Sequence, residues 1–383
     1  MSALKIGING GGIGGMAAAI ALRKAGHDVE VYEQATNYSR IGADINLTPN
    51  AVRAAKHLGI FEALSETAAR PTHRISRMWD TGNETSRLGM AEEAEQKYGA
   101  PQLTIHRADL LDALRKQVPA ESVFLGHRIT GVDISGDRPV VRFENGASRM
   151  VDALVGADGI HSPTRAVLFG QEKPSFTGLV SYRAVFDRSK VASLPNLDAF
   201  TKWWGPTPDL QIVTFPLNKG KEIFVFATTS QNDWLHESWT MPGDVVELRK
   251  AYANFHQEAR ALLDAADSVT KSALYIREPL PRWSVGRVTL LGDAAHPMVP
   301  FMAQGACMAI EDSVVLGRAL TGVKELDVPA AFQRYEATRK ERTARVQIGS
   351  RGNEWLKQGG NADWVYGYDA AVVPIASNQA AYA

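Results

Sequence analysis

Lys5-Ile6-Gly7-Ile8-Asn9-Gly10-Gly11-Gly12-Ile13-Gly14-Gly15-Met16 sets an apolar strand, a turn of glycines and the start of an alanine-rich helix in direct succession. The helix is expected from Gly14 to Ala25, Gly26-His27 turns the chain, and Val29-Glu30-Val31-Tyr32-Glu33 reads as a second strand. Strand, helix and strand in that order make a β-α-β unit, whose two strands run parallel. In Gly10-x-Gly12-x-x-Gly15 the first glycine permits the turn and the second lets backbone approach a pyrophosphate. The third lets the helix pack close to the strand. Amides at the helix start, Gly14 among them, then face phosphate oxygens. Glu33, about 20 residues on at the end of the second strand and followed by Gln34, can accept both ribose hydroxyl protons. A dinucleotide is the expected ligand.

Two later stretches narrow that ligand. Gly156-Ala157-Asp158-Gly159 follows the apolar run Ala153-Leu154-Val155, and Gly292-Asp293-Ala294-Ala295-His296-Pro297 follows a buried strand, Val288 to Leu291. A carboxylate at a strand end beside small residues, as at Asp293, can bind ribityl hydroxyls. Pro297, Pro300 and Gly305 shape a loop into a helix expected from Gln304 to Leu320. The N-terminus of that helix, at Gly305 and Ala306, is the positive end of its dipole and suits the negative charge of a reduced flavin. One glycine turn indicates only a phosphate on a helix; three motifs in this order indicate FAD. No second glycine fingerprint occurs, so no second Rossmann unit awaits a nicotinamide.

Several single residues admit two readings. Arg107 is either a cation for the adenosine half of the cofactor or a surface arginine, and Ile129 either touches adenine through its backbone or simply packs. Asp158 either reaches the cofactor or belongs to a capped strand-turn-helix, with Arg165 pairing to an acid in the same turn. His296 is the first candidate for a catalytic base, or else braces a tight turn beside Pro297. Arg183 holds flavin or a substrate carboxylate, or pairs structurally. Cys307, the single cysteine, reads as a small buried residue.

Between about 180 and 230 the pattern becomes consecutive strands, Ser181 to Phe186, Phe200 to Trp204, Leu210 to Leu217 and Glu222 to Thr228, which implies an antiparallel sheet. Polar text from Arg70 to Gly99 has weak periodicity and reads as an excursion into the same unit. The expected architecture is α/β: a Rossmann-like domain from residues 1–70, 100–174 and 276–383, and a substrate domain from 71–99 and 175–275. Single helices are expected over Asp244 to Ala266 and over Val328 to Lys357.

With 42 Lys plus Arg against 42 Asp plus Glu, the overall charge attracts neither nucleic acid nor an anionic membrane. No apolar stretch approaches the roughly 18 residues of a membrane helix, and Met1 leads straight into a strand, so a cytoplasmic protein is expected. One cysteine allows no internal disulfide, which leaves redox chemistry to a bound cofactor. The long C-terminal helices leave a homodimer open.

The ordered motif set resembles the class A single-component FAD aromatic hydroxylases, the group of p-hydroxybenzoate and salicylate hydroxylases. Ile105-His106-Arg107-Ala108-Asp109-Leu110, Lys202-Trp203-Trp204, His296-Pro297-Met298, Met302 through Asp312, and Trp364-Val365-Tyr366-Gly367-Tyr368-Asp369 resemble most the members that act on 6-hydroxynicotinate. The resemblance, from about residue 4 to 370, implies that NADH or NADPH, a transient co-substrate, reduces an FAD that swings to meet it, a movement felt on the loop of Arg40 and Gly42. It also implies that a C4a-hydroperoxide of the flavin, formed with O2, hydroxylates a small aromatic or pyridine carboxylate. Hydroxylation at the carboxylated carbon would also expel CO2. One departure stands out: where that branch has a histidine, Gly42-Ala43-Asp44-Ile45-Asn46-Leu47-Thr48-Pro49-Asn50 places Asn46, which hydrogen-bonds but is no base near neutral pH. The histidine and tyrosine expected from the same branch are also missing, Asp209 and Val213 standing in their place. Asn46, Arg183, Val213, Phe215 and Pro300 are the expected substrate pocket.

Two other functions share part of this pattern. An NAD-linked dehydrogenase keeps the opening fingerprint but leaves Gly292-Asp293 without a purpose. A redox-sensing or partner-binding flavoprotein keeps all three motifs but responds to no aromatic effector.

Overall fold

The computed structural model describes residues 3–38, 44–232, 241–352, 357 and 361–377. Its first layer is a six-stranded sheet in the order Ser284–Val285, Val288–Leu290, Ala153–Gly156, Lys5–Asn9, Asp28–Tyr32 and Val123–Phe124. All neighbours are parallel except the first pair. The opening β-α-β reading holds, with the helix at Ile13–Lys24. The three short strands that carry the motifs are buried along nearly their whole length, as a parallel sheet covered on both faces requires.

Helix Ile13–Lys24 crosses helix Gly305–Leu320 at close range. A Cβ on Gly317 would lie 2.9 Å from Ala21, and one on Gly14 would meet Leu291 at 2.8 Å. Alanines on one helix and glycine on the other therefore let the two backbones approach, locking the nucleotide turn to the later loop. Helix Val328–Arg351 packs outside this pair, and the rest of the helix expected to Lys357 lies outside the described residues apart from Gly352 and Lys357.

The second layer is an eight-stranded sheet, ordered Met241–Gly243, Val269–Ile276, Ser175–Asp187, Glu222–Ser230, Gln211–Leu217, Phe200–Trp204, His73–Met78 and Glu84–Gly89. It is antiparallel as expected, with one exception: Phe200–Trp204 runs parallel to His73–Met78. The weakly periodic segment after Arg70 supplies the last two strands. Its alternation is faint because buried inward positions carry Arg74 and Ser76. The Asn145-Gly146 hairpin forms within a separate three-stranded sheet, with Gly146 at φ +82°.

The helix expected over Asp244 to Ala266 is two helices, Val245–Ala251 and Gln257–Asp264. Tyr252 and Phe255 between them must both be buried, and Tyr252 donates its hydroxyl to the carbonyls of Gln211 and Thr228. His256 then restarts the helix by accepting from the amide of Glu258. These helices cover the outer face of the eight-stranded sheet, so its inner face is left to the loop after Asp293.

Gly15 is the tightest point of this frame, since a Cβ there would stand 1.8 Å from the carbonyl oxygen of Gly10. Gly15→Ala is expected to lower unfolding stability by at least about 1–3 kcal/mol, the usual range for overpacking, in chemical denaturation of the cofactor-free protein. Wild-type stability in that variant would contradict the packing described.

Candidate functional site

The first wall of the site is the glycine turn. Gly10 takes φ +105° with no room for a side chain beside Ala157, whereas a Cβ on Gly12 would meet nothing within 4 Å. Gly12 caps helix Ile13–Lys24 with no side-chain hydrogen bond, and the first helical turn contains no acid. Its leading amides, which lack partners inside any α-helix, thus face open space. Glu33 accepts from the amide of Gly11 at 2.7 Å and from that of Ala35 at 2.8 Å, which fixes its carboxylate beside the turn while both oxygens keep a lone pair. Gln34 is exposed next to it. Sequence reasoning missed Tyr38: its buried hydroxyl has no hydrogen-bond partner among the described residues, Arg115 stacks on its ring at 4.3 Å, and burial pushes its pKa up to about 12.

The second wall is the Gly292-Asp293 turn. Asp293 keeps accessible surface, yet it sits so deep among protein atoms that burial raises its carboxyl pKa, with His296 and Arg107 drawing it back. Arg107, first residue of helix Arg107–Arg115, is therefore brought to the same place as Asp293. A Cβ on Gly305 would be 4.0 Å from Asp293 Oδ1, so the N-terminus of helix Gly305–Leu320, with Ala306 next to Gly305, faces the same space. The exposed Pro300 opens a tight turn that leaves Ala303 in the left-handed region at φ 55°, a strained conformation for alanine.

Beneath this turn lies a buried charge network. His296 Nε2 is 2.6 Å from Asp312 Oδ2, Gly292 donates its amide to the same oxygen at 3.2 Å, and Arg339 Nε donates to Oδ1 at 2.7 Å. Burial alone would raise the Asp312 pKa, but the charges of His296 and Arg339 outweigh it and hold it low. Glu311 is likewise held low, by Arg342 and Arg339 against its burial. His296, 2% exposed, is thus directed into the core and held by Asp312. Of its two expected readings, the brace of the turn is the one this bond supports, while its buried Nδ1 has no partner among the described residues.

Asp158 likewise fits the structural one of its two readings. Asn9 and Thr164 donate to its Oδ2 at 2.6 and 3.0 Å, and Ser162 donates to its Oδ1. Its carboxylate braces the turn into helix Pro163–Phe169 instead of reaching outward. Arg165 pairs with Glu172 at 2.9 Å and donates to the carbonyls of Ala294 and Ala295 at 3.4 Å, tying one motif to the next. Ile129 is buried among Tyr32, Phe143 and Val132, which is its packing reading. Arg40 and Gly42 lie outside the described residues.

The third wall is the inner face of the eight-stranded sheet, and its register arranges that face in rows. One row runs Arg183, Phe226, Val213, Lys202, Ser76; its neighbours run Ser181, Thr228, Gln211, Trp204, Met78 and Val185, Phe224, Phe215, Phe200, Arg74. Phe215, Phe224, Phe226 and Phe200 cluster with Val299 and Phe301 of the loop after Asp293, and Val213 packs against them. Asn46, on strand Ile45–Leu47, accepts from Gln102 Nε2 at 2.7 Å while its buried Nδ2 has no partner among the described residues. Asp209 instead lies in the turn before the sheet strand and accepts from Ser230 Oγ at 2.6 Å. Arg183 donates to Ser272 Oγ at 2.6 Å; burial lowers its pKa while Asp44 opposes that shift. Asp44 was not singled out in the sequence as a site residue. Burial lifts its pKa to about 6 against the pull of Arg183 and His106.

The three walls suit a flavin dinucleotide: a helix start and open space at Gly12, a fixed acid at Glu33, and a second acid and a helix start at Asp293. A model for the FAD binding domain matches residues 3–349. The chain belongs to the FAD-binding class A monooxygenases. This monooxygenase is 38% identical over 380 residues to 6-hydroxynicotinate 3-monooxygenase of Bordetella bronchiseptica, covering 99% of each chain. Its structure superposes on that of a salicylate hydroxylase in complex with substrate with TM-score 0.84 and 27% identity, covering 99% of this chain and 98% of the other. It superposes on Klebsiella pneumoniae HpxO in complex with FAD and uric acid with TM-score 0.81 and 27% identity, covering 94% and 90%. FAD is the cofactor of the monooxygenase.

Two tests follow from the walls. Gly12→Ala and Asp293→Ala are each expected to weaken FAD binding about 10- to 100-fold, in titrations of apoprotein followed by flavin fluorescence, with little loss of apoprotein stability. Retention of flavin at wild-type affinity by both variants would contradict the assignment. For Asp44, a raised folded pKa favours folding most below the unfolded value near ~3.9, and that contribution is lost as pH rises through about 6. Asp44→Asn should therefore stabilise the protein by roughly 2–3 kcal/mol at pH 8 and hardly at all at pH 4, read from denaturant midpoints at the two pH values.

Proposed function

We propose that this monooxygenase hydroxylates a hydroxylated aromatic or N-heteroaromatic carboxylic acid, with 6-hydroxynicotinate as the leading candidate, at the expense of NADH or NADPH and O2. The reading is carried by one observation: a sheet face rich in phenylalanine, interrupted by a few buried amides and cations, closes directly on the loop that links Asp293 to helix Gly305–Leu320. Such a face takes a flat apolar ring and orients it by its polar substituents. Residues 71–99 and 175–275 supply the sheet strands of this substrate side, and the remainder holds the cofactor.

When bound, FAD takes hydride from the nicotinamide and activates O2 for transfer to the ring. The protein's part is to bind, orient and exclude water. Glu33 and the Gly12 amides hold the adenosine and pyrophosphate end, Arg107 adds a positive charge, and Asp293 takes the ribityl chain. Ala306 and the helix start behind it stabilise negative charge on the ring system. Phe215, Val213 and Pro300 wall off water from the reacting face, which protects against wasteful loss of peroxide. Asn46 donates through Nδ2 to the hydroxyl oxygen on the substrate ring. Because an amide removes no proton, the activating deprotonation falls to the substrate's own acidity.

The overall balance is ring C–H, NAD(P)H, H+ and O2 going to ring C–OH, NAD(P)+ and water. At a carbon bearing carboxylate, CO2 leaves in place of the ring proton. Hydroxylated pyridine and benzene carboxylates should stimulate NAD(P)H oxidation by the holoenzyme about tenfold or more and yield hydroxylated product by mass spectrometry, 6-hydroxynicotinate among them. Stimulated oxidation that yields only hydrogen peroxide across the panel would refute the assignment. No response to any ring would favour a redox-sensing flavoprotein.

A further inference from the structure

When the substrate sheds its ring proton by its own acidity, the site meets the ring oxygen both with that proton and without it. Asn46 stands where this matters. Strand Ile45–Leu47 pairs antiparallel with Leu103–Ile105, and Asn46 lies directly opposite Thr104. Side chains opposite each other in such a pair share one face. The Thr104 hydroxyl donates to the carbonyl of Pro216 at 2.6 Å, so that face is turned to the strand carrying Val213 and Phe215. The Asn46 carbonyl accepts from Cys307 Sγ at 3.4 Å, which ties the same strand to the start of helix Gly305–Leu320.

Asn46 has a companion on this face. Gln102, two residues before Thr104 and 0% exposed, donates from Nε2 to Asn46 Oδ1 at 2.7 Å. Beyond that bond, Asn46 Nδ2 and Gln102 Oε1 are both buried without a partner among the described residues. Each side-chain amide thus has one end bonded to the other amide and one end unsatisfied. The main chain around them is fixed: the Gln102 amide donates to the Met90 carbonyl at 2.9 Å, and Thr104 exchanges two hydrogen bonds with Ala69. What can turn is the last torsion of each side chain, which for Asn and Gln is broad and two-fold.

Half a turn about both torsions exchanges oxygen for nitrogen on each amide. The bond between them then runs from Asn46 Nδ2 to Gln102 Oε1, and Oδ1 becomes the open end of Asn46. Either arrangement keeps one hydrogen bond and leaves one donor and one acceptor unsatisfied, so the two are close in free energy. A ligand that satisfies the open end of Asn46 selects between them, because a buried unsatisfied group is costly. An oxygen without a proton takes Nδ2, and a hydroxyl or amino group that must donate takes Oδ1. Resting on the hydroxylase reading above, we infer that Asn46 and Gln102 form one reversible pair that binds the substrate ring oxygen in both protonation states, with Gln102 as the positioning residue. The same pair accepts a ring amino group as readily as a ring oxygen.

The test is a titration of FAD-loaded enzyme at neutral pH, read by perturbation of the flavin absorption spectrum, with three probes of one shape. In water 6-hydroxynicotinate keeps its proton on the ring nitrogen and offers an accepting oxygen, 6-aminonicotinate offers a donating N–H, and nicotinate offers neither. Wild type is expected to bind the first two within about threefold of each other and nicotinate at least about tenfold more weakly. Asn46→Asp, whose carboxylate only accepts, should keep 6-aminonicotinate and weaken 6-hydroxynicotinate about 10- to 100-fold. Gln102→Glu, which draws Asn46 Nδ2 to its carboxylate, should shift the preference the same way by about tenfold, whereas a merely structural loss weakens all three probes alike. Asn46→Leu, which adds no charge, gives a second reading if these variants fail to fold, and should bring both substituted probes to the level of nicotinate. A wild-type preference of about tenfold or more for one substituted probe, or variants that weaken all three alike, overturns the pair while leaving the hydroxylase reading intact. The expected probe pattern without hydroxylated product from 6-hydroxynicotinate or any other hydroxy acid supports the pair and overturns the hydroxylase reading alone.

Discussion

The Asp312 carboxylate is the point on which the site depends. It is fully buried in helix Gly305–Leu320, and from there it receives the Gly292 amide, the His296 ring and the Arg339 guanidinium. Those three groups belong to the turn bearing Asp293, to the loop after it, and to helix Val328–Arg351. Arg339 also pairs with Glu311, which Arg342 shares, and Arg342 donates onward to the carbonyls of Trp364 and Val365. A buried charge of this kind is tolerated only when its partners are in place, so the network favours one arrangement of turn, helix and C-terminal segment over looser ones. The strain at Ala303 and the atoms of Asn46 and Gln211 without partners among the described residues lie around a frame that this network holds in place.

From that frame the division of labour follows. The parallel sheet presents strand ends, and with them amides and acids suited to phosphate and ribityl groups. The antiparallel sheet presents a broad face, and with it rings and a few buried polar groups suited to a flat aromatic acid. The chemistry between them belongs to the cofactor. The protein contributes orientation, dryness and charge. Asn46, whose buried Nδ2 has no partner among the described residues, lies between the two sheets, on strand Ile45–Leu47.

How much of this is legible in the chain depends on whether a function is local. Gly10 to Gly15, Glu33 and Gly292-Asp293 carry their meaning within a few residues, because a tight turn, a helix start and an acid at a strand end are all set by neighbours in sequence. Arg74, Lys202 and Gln211 were not legible as a group. They come from three strands, and only register places them on one face. His296 and Asp158 stand inside the right motifs, yet a motif does not say what a side chain meets: His296 meets the Asp312 carboxylate, and Asp158 accepts from Asn9, Ser162 and Thr164. The break at Tyr252 to His256 was hidden because burying both Tyr252 and Phe255 outweighs the helical periodicity that spans them.

The most direct measurement is a crystal structure of the yellow holoprotein soaked with 6-hydroxynicotinate. The account requires the isoalloxazine ring between the N-terminus of helix Gly305–Leu320 and the inner sheet face, with the pyrophosphate on the Gly12 amides and the substrate ring against Phe215. Density for the flavin ring elsewhere, or for a nicotinamide alone at the Asp293 turn, would contradict it.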